Sequence, residues 1–361
     1  MTVAPFPSAL QSLMGRPRTA LACLPTPLHP LRRLSAELGG PEIWVKRDDL
    51  SGLVGGGNKT RKLEFVVADA LEVGATVLVT VGAVQSNHTR QTAAAAARVG
   101  LGCVLLHNNW VPSPGLSYQR AGNLLLSDLL GARLYYDATE RAVGDEGELE
   151  ALVGHLRAEG DIPYVIPVGA SEHRLGGFGY VVCAAEIALQ ADELGLEFDY
   201  VVHCTGSSST QAGLLAGFAA LGAETRVIGV SDDDETADKV ERVMRLANAT
   251  LAELGFAARV SGPDVTVVAA DPNPYGVAAS ETIDAIRFLA RTEGIVADPV
   301  YEGKAMLGLM NLIKGGVLRS GNRVLFVHLG GTPALHAYAE QVREASLSIL
   351  PHHADQDDNG G

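Results

Sequence analysis

The segment Lys46 to Glu64, KRDDLSGLVGGGNKTRKLE, gathers charged side chains around a glycine run. Gly55 to Gly57 and Asn58 lead into Lys59, and a helical pattern follows at once. Leu63, Val66, Val67, Ala70 and Leu71 recur at helical spacing, with Gly74 as a natural stop. Lys59, Arg61 and Lys62 therefore fall at or near a helix N-terminus, which already carries about half a positive charge. Cations there either fan out into solvent or face an anion, and helix N-termini bind phosphates. The spacing does not match the Walker A pattern G-x-x-x-x-G-K-[ST].

Three further segments could do chemistry. Thr205 to Gln211, TGSSSTQ, places small hydroxyl residues between a strand pattern and a helix pattern. Such a loop serves either as an ordinary helix N-cap or as a phosphate cup of hydroxyls and backbone N–H groups. It is not G-x-G-x-x-G, so a dinucleotide fingerprint is poorly supported. Val84 to Arg90, VQSNHTR, puts Ser86, Asn87 and His88 at another helix start, suited to a carboxylate. Asp298 to Lys304, DPVYEGK, is a polar turn in which Tyr301 and Glu302 are adjacent. Each of these last two also reads as a plain turn.

The elements that would position these residues alternate along the chain. Strand patterns fall at Thr76 to Val81, Gly102 to His107, Ala132 to Tyr136, Tyr164 to Val168, Tyr200 to Cys204, Arg226 to Val230, Val265 to Ala269 and Arg323 to His328. Helical patterns separate them, including Gly122 to Leu130 and Glu146 to Ala158. Alternation of this kind predicts parallel sheets with helical crossovers, covered on both faces. Ser231 to Glu235, SDDDE, reads as an acidic surface stretch. The polar end, Pro351 to Gly361, reads as a disordered, solvated tail.

Composition bounds the class. The chain has 361 residues, 47% hydrophobic and 19% charged, which excludes a disordered chain. A net charge of −14 argues against a nucleic-acid partner, which would need a basic face. Cys23, Cys103, Cys183 and Cys204 form no C-x-x-C pair, so zinc and dithiol readings are weak and a reducing, cytoplasmic setting is expected. No apolar run reaches the roughly 18 residues of a membrane span. Prolines, Arg16 and Arg18 interrupt Met1 to Pro30 where a signal peptide needs an unbroken apolar stretch.

Taken together, the segments resemble a family of pyridoxal-phosphate enzymes, the 1-aminocyclopropane-1-carboxylate (ACC) deaminases and D-cysteine desulfhydrases. The resemblance is carried, in order from about residue 20 to 345, by TPLHPLRRLS, WVKRDDL, GGNKTRKLEF, QSNHTRQ, LGGFGY, EFDYVV, STQAG, DPVYEGKAM and HLGGTPAL. It implies fold type II, the tryptophan-synthase-β fold: two open, twisted, mostly parallel sheets flanked by helices, with pyridoxal 5'-phosphate in the cleft between domains. The expected division is a large cofactor-binding domain of residues 1–65 and 171–345, a small domain of 66–170, and a flexible tail of 346–361.

The resemblance also implies roles. Lys59 matches the Schiff-base lysine, and neighbouring cations give it a reason to be tuned as an amine nucleophile. Asn87 matches the contact to the cofactor ring oxygen, and Lys62 lies beside the phosphate. Ser207, Ser208, Ser209 and Thr210 match the phosphate cup, except that Ser208 stands where glycine is usual. Ser86 matches a substrate-carboxylate contact with catalytic work, and Tyr275 and Tyr301 match two active-site tyrosines. Glu302 matches the acid facing the pyridine nitrogen. His88, Trp110 and Leu329 join Ser86 and Asn87 around a small amino-acid substrate.

The resemblance implies one of two reactions. ACC has no α-proton, so its ring must open by another route, giving 2-oxobutanoate and ammonia. D-Cysteine loses its α-proton and then sulfide, giving pyruvate, ammonia and hydrogen sulfide. Glu302, Leu329 and Trp110 resemble the deaminases. His88 resembles the desulfhydrases, and the Asp49 to Gly55 loop is shorter than in a typical deaminase. ACC deaminase is the first expectation and the β-eliminating lyase the alternative. Relatives suggest a homodimer or larger. A non-catalytic ligand-binding α/β protein is disfavoured by Lys59, Ser86, the tyrosines and Glu302 occurring together, and a nicotinamide oxidoreductase by the missing glycine fingerprint.

Overall fold

A computed structural model describes residues 10–112, 115–140, 147–233 and 236–343. Residues 346–361, expected as a tail, lie outside the described residues, as do Asp234 and Glu235 of the acidic stretch.

Among the described residues, ten strands form two sheets. They are β1 Leu28–Pro30, β2 Glu42–Arg47, β3 Val77–Ala83, β4 Gly102–Asn108, β5 Arg133–Asp137, β6 Pro163–Ile166, β7 Tyr200–Thr205, β8 Arg226–Ser231, β9 Thr266–Ala269 and β10 Arg323–His328. One sheet has the order β5-β4-β3-β6 and is parallel throughout. The other has the order β1-β2-β10-β7-β8-β9, with only β1 antiparallel. The first is built from residues between 77 and 166. The second draws on both sides of that stretch, so the chain crosses from one sheet to the other and back.

The inner strand patterns hold because both faces are covered, whereas the edge strand β5 exposes Arg133, Tyr135 and Tyr136. Every residue of β3 is buried, and so are five consecutive residues of β7 and of β10, as continuous apolar strands require. The main core joins Ile43, Val45, Val201, Val202 and Phe326 to Phe65, Phe178 and Leu214 of the covering helices. Two strands, β1 and β2, are absent from the pattern reading. β1 is only three residues long, and the polar residues Lys46 and Arg47 hide β2, where Lys46 is fully buried because Glu186 on a distant helix pairs with it.

The helix Asn58–Glu72 carries the lysine segment. Leu63, Val66, Val67 and Ala70 are buried as its apolar stripe predicts, but Leu71 is 42% exposed. Its polar face is buried too: Arg61, Lys62 and Glu64 are all inside. That leaves neither Arg61 nor Lys62 fanned into solvent. Gly179, of LGGFGY, sits in the helix Phe178–Leu194 where the two helices cross. A Cβ there would lie 2.5 Å from the Arg61 backbone, so the approach requires glycine. Among the described residues, no helix is long and apolar enough to cross a membrane.

The acidic stretch is corrected. Ser231 ends β8 in the core, and Asp232 is 3% exposed, with Oδ1 2.8 Å from the buried Lys239 ammonium. A carboxylate with such a partner does not need the surface.

Candidate active site

A cavity of about 540 Å³ opens between the sheets. The ends of β3, β7, β8 and β10 meet there, at Ala83, Cys204 to Ser208, Asp232, and Leu329 with Gly330. Carboxyl ends of parallel strands are where open α/β sheets bind ligands. Twelve residues singled out from sequence line it: Lys59, Ser86, Asn87, His88, Trp110, Ser207, Ser208, Thr210, Tyr275, Tyr301, Glu302 and Leu329.

Lys59 is the second residue of its helix, half-buried, with Nζ 3.1 Å from Asn58 Oδ1. Burial disfavours its ammonium and pulls the pKa down to about 8. Asp232 and Glu302 oppose that shift, and Arg90 adds to it. Asn58 also donates from Nδ2 to Thr210 Oγ1 (3.1 Å), tying the lysine loop to the hydroxyl loop. The glycine run is required here. Gly56 has φ +56°, and a Cβ on it would lie 1.9 Å from the Asp49 carbonyl oxygen.

Ser86 caps the helix Asn87–Val99, accepting from the backbone N–H of His88 and Thr89. His88 is buried with Nε2 2.9 Å from Thr80 Oγ1. Burial, with Lys59 and Lys62 nearby, holds its pKa well below the usual histidine value. A neutral ring already paired to Thr80 is a poor clamp for a carboxylate, which weakens the substrate role expected of it. Trp110 brings a buried indole N–H that has no partner among the described residues.

The hydroxyl loop precedes the helix Ser209–Leu221. Ser208 has φ +73° and ψ −30°, a conformation that side chains rarely adopt. It is 2% exposed, and its Oγ has no partner among the described residues. Thr205 Oγ1 is in the same condition. Two expected residues lie elsewhere. Lys62 and Ser209 do not line the cavity: Lys62 Nζ donates to Ser209 Oγ (2.7 Å) behind the loop. The fold places Lys62 behind the cavity wall, which side-chain type alone does not reveal.

On the far wall Tyr275 and Tyr301 are joined hydroxyl to hydroxyl at 2.5 Å. Burial raises both pKa values well above the usual phenol, so both are protonated at neutral pH. One of the two protons lies in the bond between them, leaving one hydroxyl hydrogen to face a substrate. Glu302 opens the helix Glu302–Lys314, and both its carboxyl oxygens are buried without a hydrogen-bond partner among the described residues, with His328 Nδ1 3.9 Å from Oε2. Burial and the neighbouring Asp298 raise its pKa well above the carboxylate range. Asp298 was not singled out from sequence. It accepts from the backbone N–H of Val300, Tyr301 and Glu302 at 2.9–3.0 Å, fixing the turn that presents both side chains. Its only signal was an Asp heading a turn before a helix.

Residues 19–330 match the model of the family described as "Pyridoxal-phosphate dependent enzyme". The chain belongs to the pyridoxal-phosphate dependent enzymes. A Methylobacterium nodulans protein named 1-aminocyclopropane-1-carboxylate deaminase is 46% identical over 324 residues, 88% of this chain and 96% of that protein. A crystal structure titled as an ACC deaminase homologue superposes with a TM-score of 0.84 at 34% identity, covering 93% of this chain and 98% of that one.

The donor set of this pyridoxal-phosphate dependent enzyme fits its cofactor. Unpartnered hydroxyls at a helix N-terminus suit a phosphate. A buried carboxyl lacking a partner suits a ring nitrogen that can be protonated, and a half-buried amine with lowered pKa suits an aldehyde. Among the described residues, no group of three or more His, Cys, Asp or Glu is placed to hold a metal ion.

The Ser208 backbone carries a testable consequence. A non-glycine residue at this φ costs on the order of 1–3 kcal/mol, and glycine recovers part of it. Ser208→Gly should therefore stabilise the cofactor-free protein by about 1 kcal/mol in urea denaturation at unchanged m-value. A lower midpoint would contradict the strain.

Proposed function

We propose that this chain is an ACC deaminase, opening the cyclopropane ring to give 2-oxobutanoate and ammonia. The observation that carries the reading is Glu302: a buried carboxyl with neither oxygen hydrogen-bonded among the described residues, on the wall of the cavity that holds Lys59. The name of the Methylobacterium nodulans relative supports it. Bound pyridoxal phosphate supplies an electron sink for bond cleavage at the amino acid.

The residue roles are part of the proposal. Ser207, Ser208, Thr210 and the first N–H groups of the Ser209 helix hold the phosphate. Glu302 holds the ring nitrogen, and Asn87 the ring oxygen. Lys59, with a pKa of about 8, is about half free amine at pH 8 and serves as the nucleophile and proton carrier. Ser86, Asn87 and the Trp110 indole N–H orient the substrate carboxylate. The Tyr275–Tyr301 pair supplies a proton or takes one at ring opening. Leu329 closes the wall against a small apolar ring. We assign the small domain to residues 66–170 and the large one to 1–65 and 171–345. A small amino acid is the partner, in a cytoplasmic homodimer or larger assembly.

Release of sulfide from D-cysteine is the second reading, favoured by His88 and the short loop before Gly56. The test assays 2-oxobutanoate from ACC beside pyruvate and sulfide from D-cysteine. 2-Oxobutanoate should dominate. Sulfide without 2-oxobutanoate would reverse the assignment. Glu302→Ser with Leu329→Thr should shift the ratio toward sulfide.

A further inference from the structure

We propose that Arg90, acting through Asn123, decides which end of the Asn87 side-chain amide faces the cavity. The two ends of an asparagine amide have nearly the same shape but opposite hydrogen-bonding character. Something must choose between them, and here the choice passes along a chain of bonds that starts at a group unable to accept.

Arg90 is fully buried in the helix Asn87–Val99. Its Nε donates to Asn123 Oδ1 at 2.8 Å, and a terminal nitrogen donates to the Gly56 carbonyl at 2.9 Å. A guanidinium has no acceptor, so Asn123 must turn its oxygen toward Arg90. Its NH2 group then faces away. It donates to the Gln85 carbonyl and to Asn87 Oδ1, both at 2.8 Å. An NH2 group cannot accept either, so Asn87 presents its oxygen to Asn123. The Asn87 nitrogen is left for the cavity that the residue lines.

Gln85 holds the arrangement in register. Its Nε2 donates to the carbonyls of Tyr118 and Ala121, which fixes its own amide, and its Oε1 accepts from the Asn123 backbone N–H. Among the described residues Arg90 has no carboxylate at ion-pair distance, and one terminal nitrogen lacks a partner. A buried cation without a counterion is costly. A donor that cannot be misread is what this position requires. The relay thus makes Asn87 a donor toward an oxygen, which is the ring oxygen if the role proposed for Asn87 holds. The inference rests on that role.

The test is a cycle of four apoproteins: wild type, Asn87→Ala, Asn123→Asp and the double variant. The carboxylate introduced by Asn123→Asp would keep Arg90 as its partner but offer only acceptors, turning the Asn87 nitrogen away from the cavity. The readouts are the dissociation constant of pyridoxal phosphate by absorbance titration and the unfolding midpoint of the apoprotein. Asn87→Ala should weaken binding about tenfold, as loss of a hydrogen bond to a charged oxygen does. Asn123→Asp should weaken it by a similar factor; because it also sets a carboxylate oxygen against the Gln85 carbonyl, the apoprotein midpoint is read to confirm that the variant is folded where binding is measured. The double variant should bind no worse than Asn87→Ala alone. Wild-type affinity in Asn123→Asp, or losses that multiply in the double variant, would overturn the relay. Wild-type affinity in Asn87→Ala would instead overturn the role of Asn87, and the relay with it. If Asn123→Asp does not fold, Arg90→Gln, which can present either end, replaces it in the cycle, and Arg90→Lys should restore affinity.

Discussion

Lys59→Ala should lose turnover of ACC by about a thousandfold or more and lose the visible absorbance of a lysine-linked cofactor. The size of the effect follows from the absence of a substitute. Lys62 is one helical turn away, but its amine is bonded to Ser209 Oγ and does not reach the cavity. Arg90 cannot act as an amine and does not line the cavity either. Among the described residues Lys59 alone combines a lysine side chain at the cavity with a pKa brought down to about 8 by burial. In the role proposed for it Lys59 is both nucleophile and proton carrier, so its removal takes away two contributions at once, together worth orders of magnitude. The measurement is 2-oxobutanoate release together with an absorbance spectrum of the protein saturated with cofactor. A variant that kept both full turnover and the absorbance would rule out Lys59 as the reactive amine.

The largest expected stability effect lies behind the site. Arg61 is 1% exposed and pairs with Asp48 (Nε–Oδ2 2.8 Å, a terminal nitrogen to Oδ1 2.7 Å) and with Glu186 at 3.0 Å. Thr26 and Tyr180 donate to the same Asp48 carboxylate, and Lys46 pairs with Glu186. Arg61→Met leaves buried carboxylates short of their main partner, which costs about 3–5 kcal/mol. The urea midpoint should fall accordingly, with little change in m-value. A pH series gives a second reading. Burial raises the Glu186 pKa, but Arg61 and Lys46 outweigh that and hold it at about 2, against an ordinary 4.5. A depressed carboxyl pKa stabilises the fold fully above the unfolded value, and the contribution is lost as pH falls from about 4.5 toward 2. Arg61→Met should flatten that acid limb. An unchanged limb would show that the pair contributes little. Arg61 was a candidate neighbour of the phosphate because of its place at a helix N-terminus. The fold turns it to the opposite side, where Asp48 of the same segment and Glu186 of a distant helix meet it.

Much of this was legible because it is local. Continuous apolar runs at Val77, Val201 and Val324 announce strands buried on both faces, and the glycine run before Lys59 announces a loop that side chains cannot follow. β2 was not legible, since Lys46 reads as exposed until Glu186 is placed beside it, and β1 is a three-residue strand that only pairing with β2 defines. The acidic stretch failed in the same way: Asp232 is buried only because Lys239, in the first turn of the helix that follows, comes back to face it. Ser208 is the converse case. The residue expected there was glycine, and the positive φ of +73° gives the physical reason.

By itself the sequence determined the α/β class, the alternation of parallel strands and helices, and the order of the loops whose motifs resemble a known family. These follow from hydrophobic period, turn chemistry and motif order, which are properties of neighbours along the chain. Only the tertiary structure decided which charges reach the cavity: Lys59 does, while Lys62 and Arg61 do not. Only it could join Tyr275 to Tyr301, bury Glu302 with no hydrogen-bond partner among the described residues, and connect Arg90 through Asn123 to Asn87. A hydrogen bond needs a distance and a direction. Those are set when segments far apart in sequence pack together.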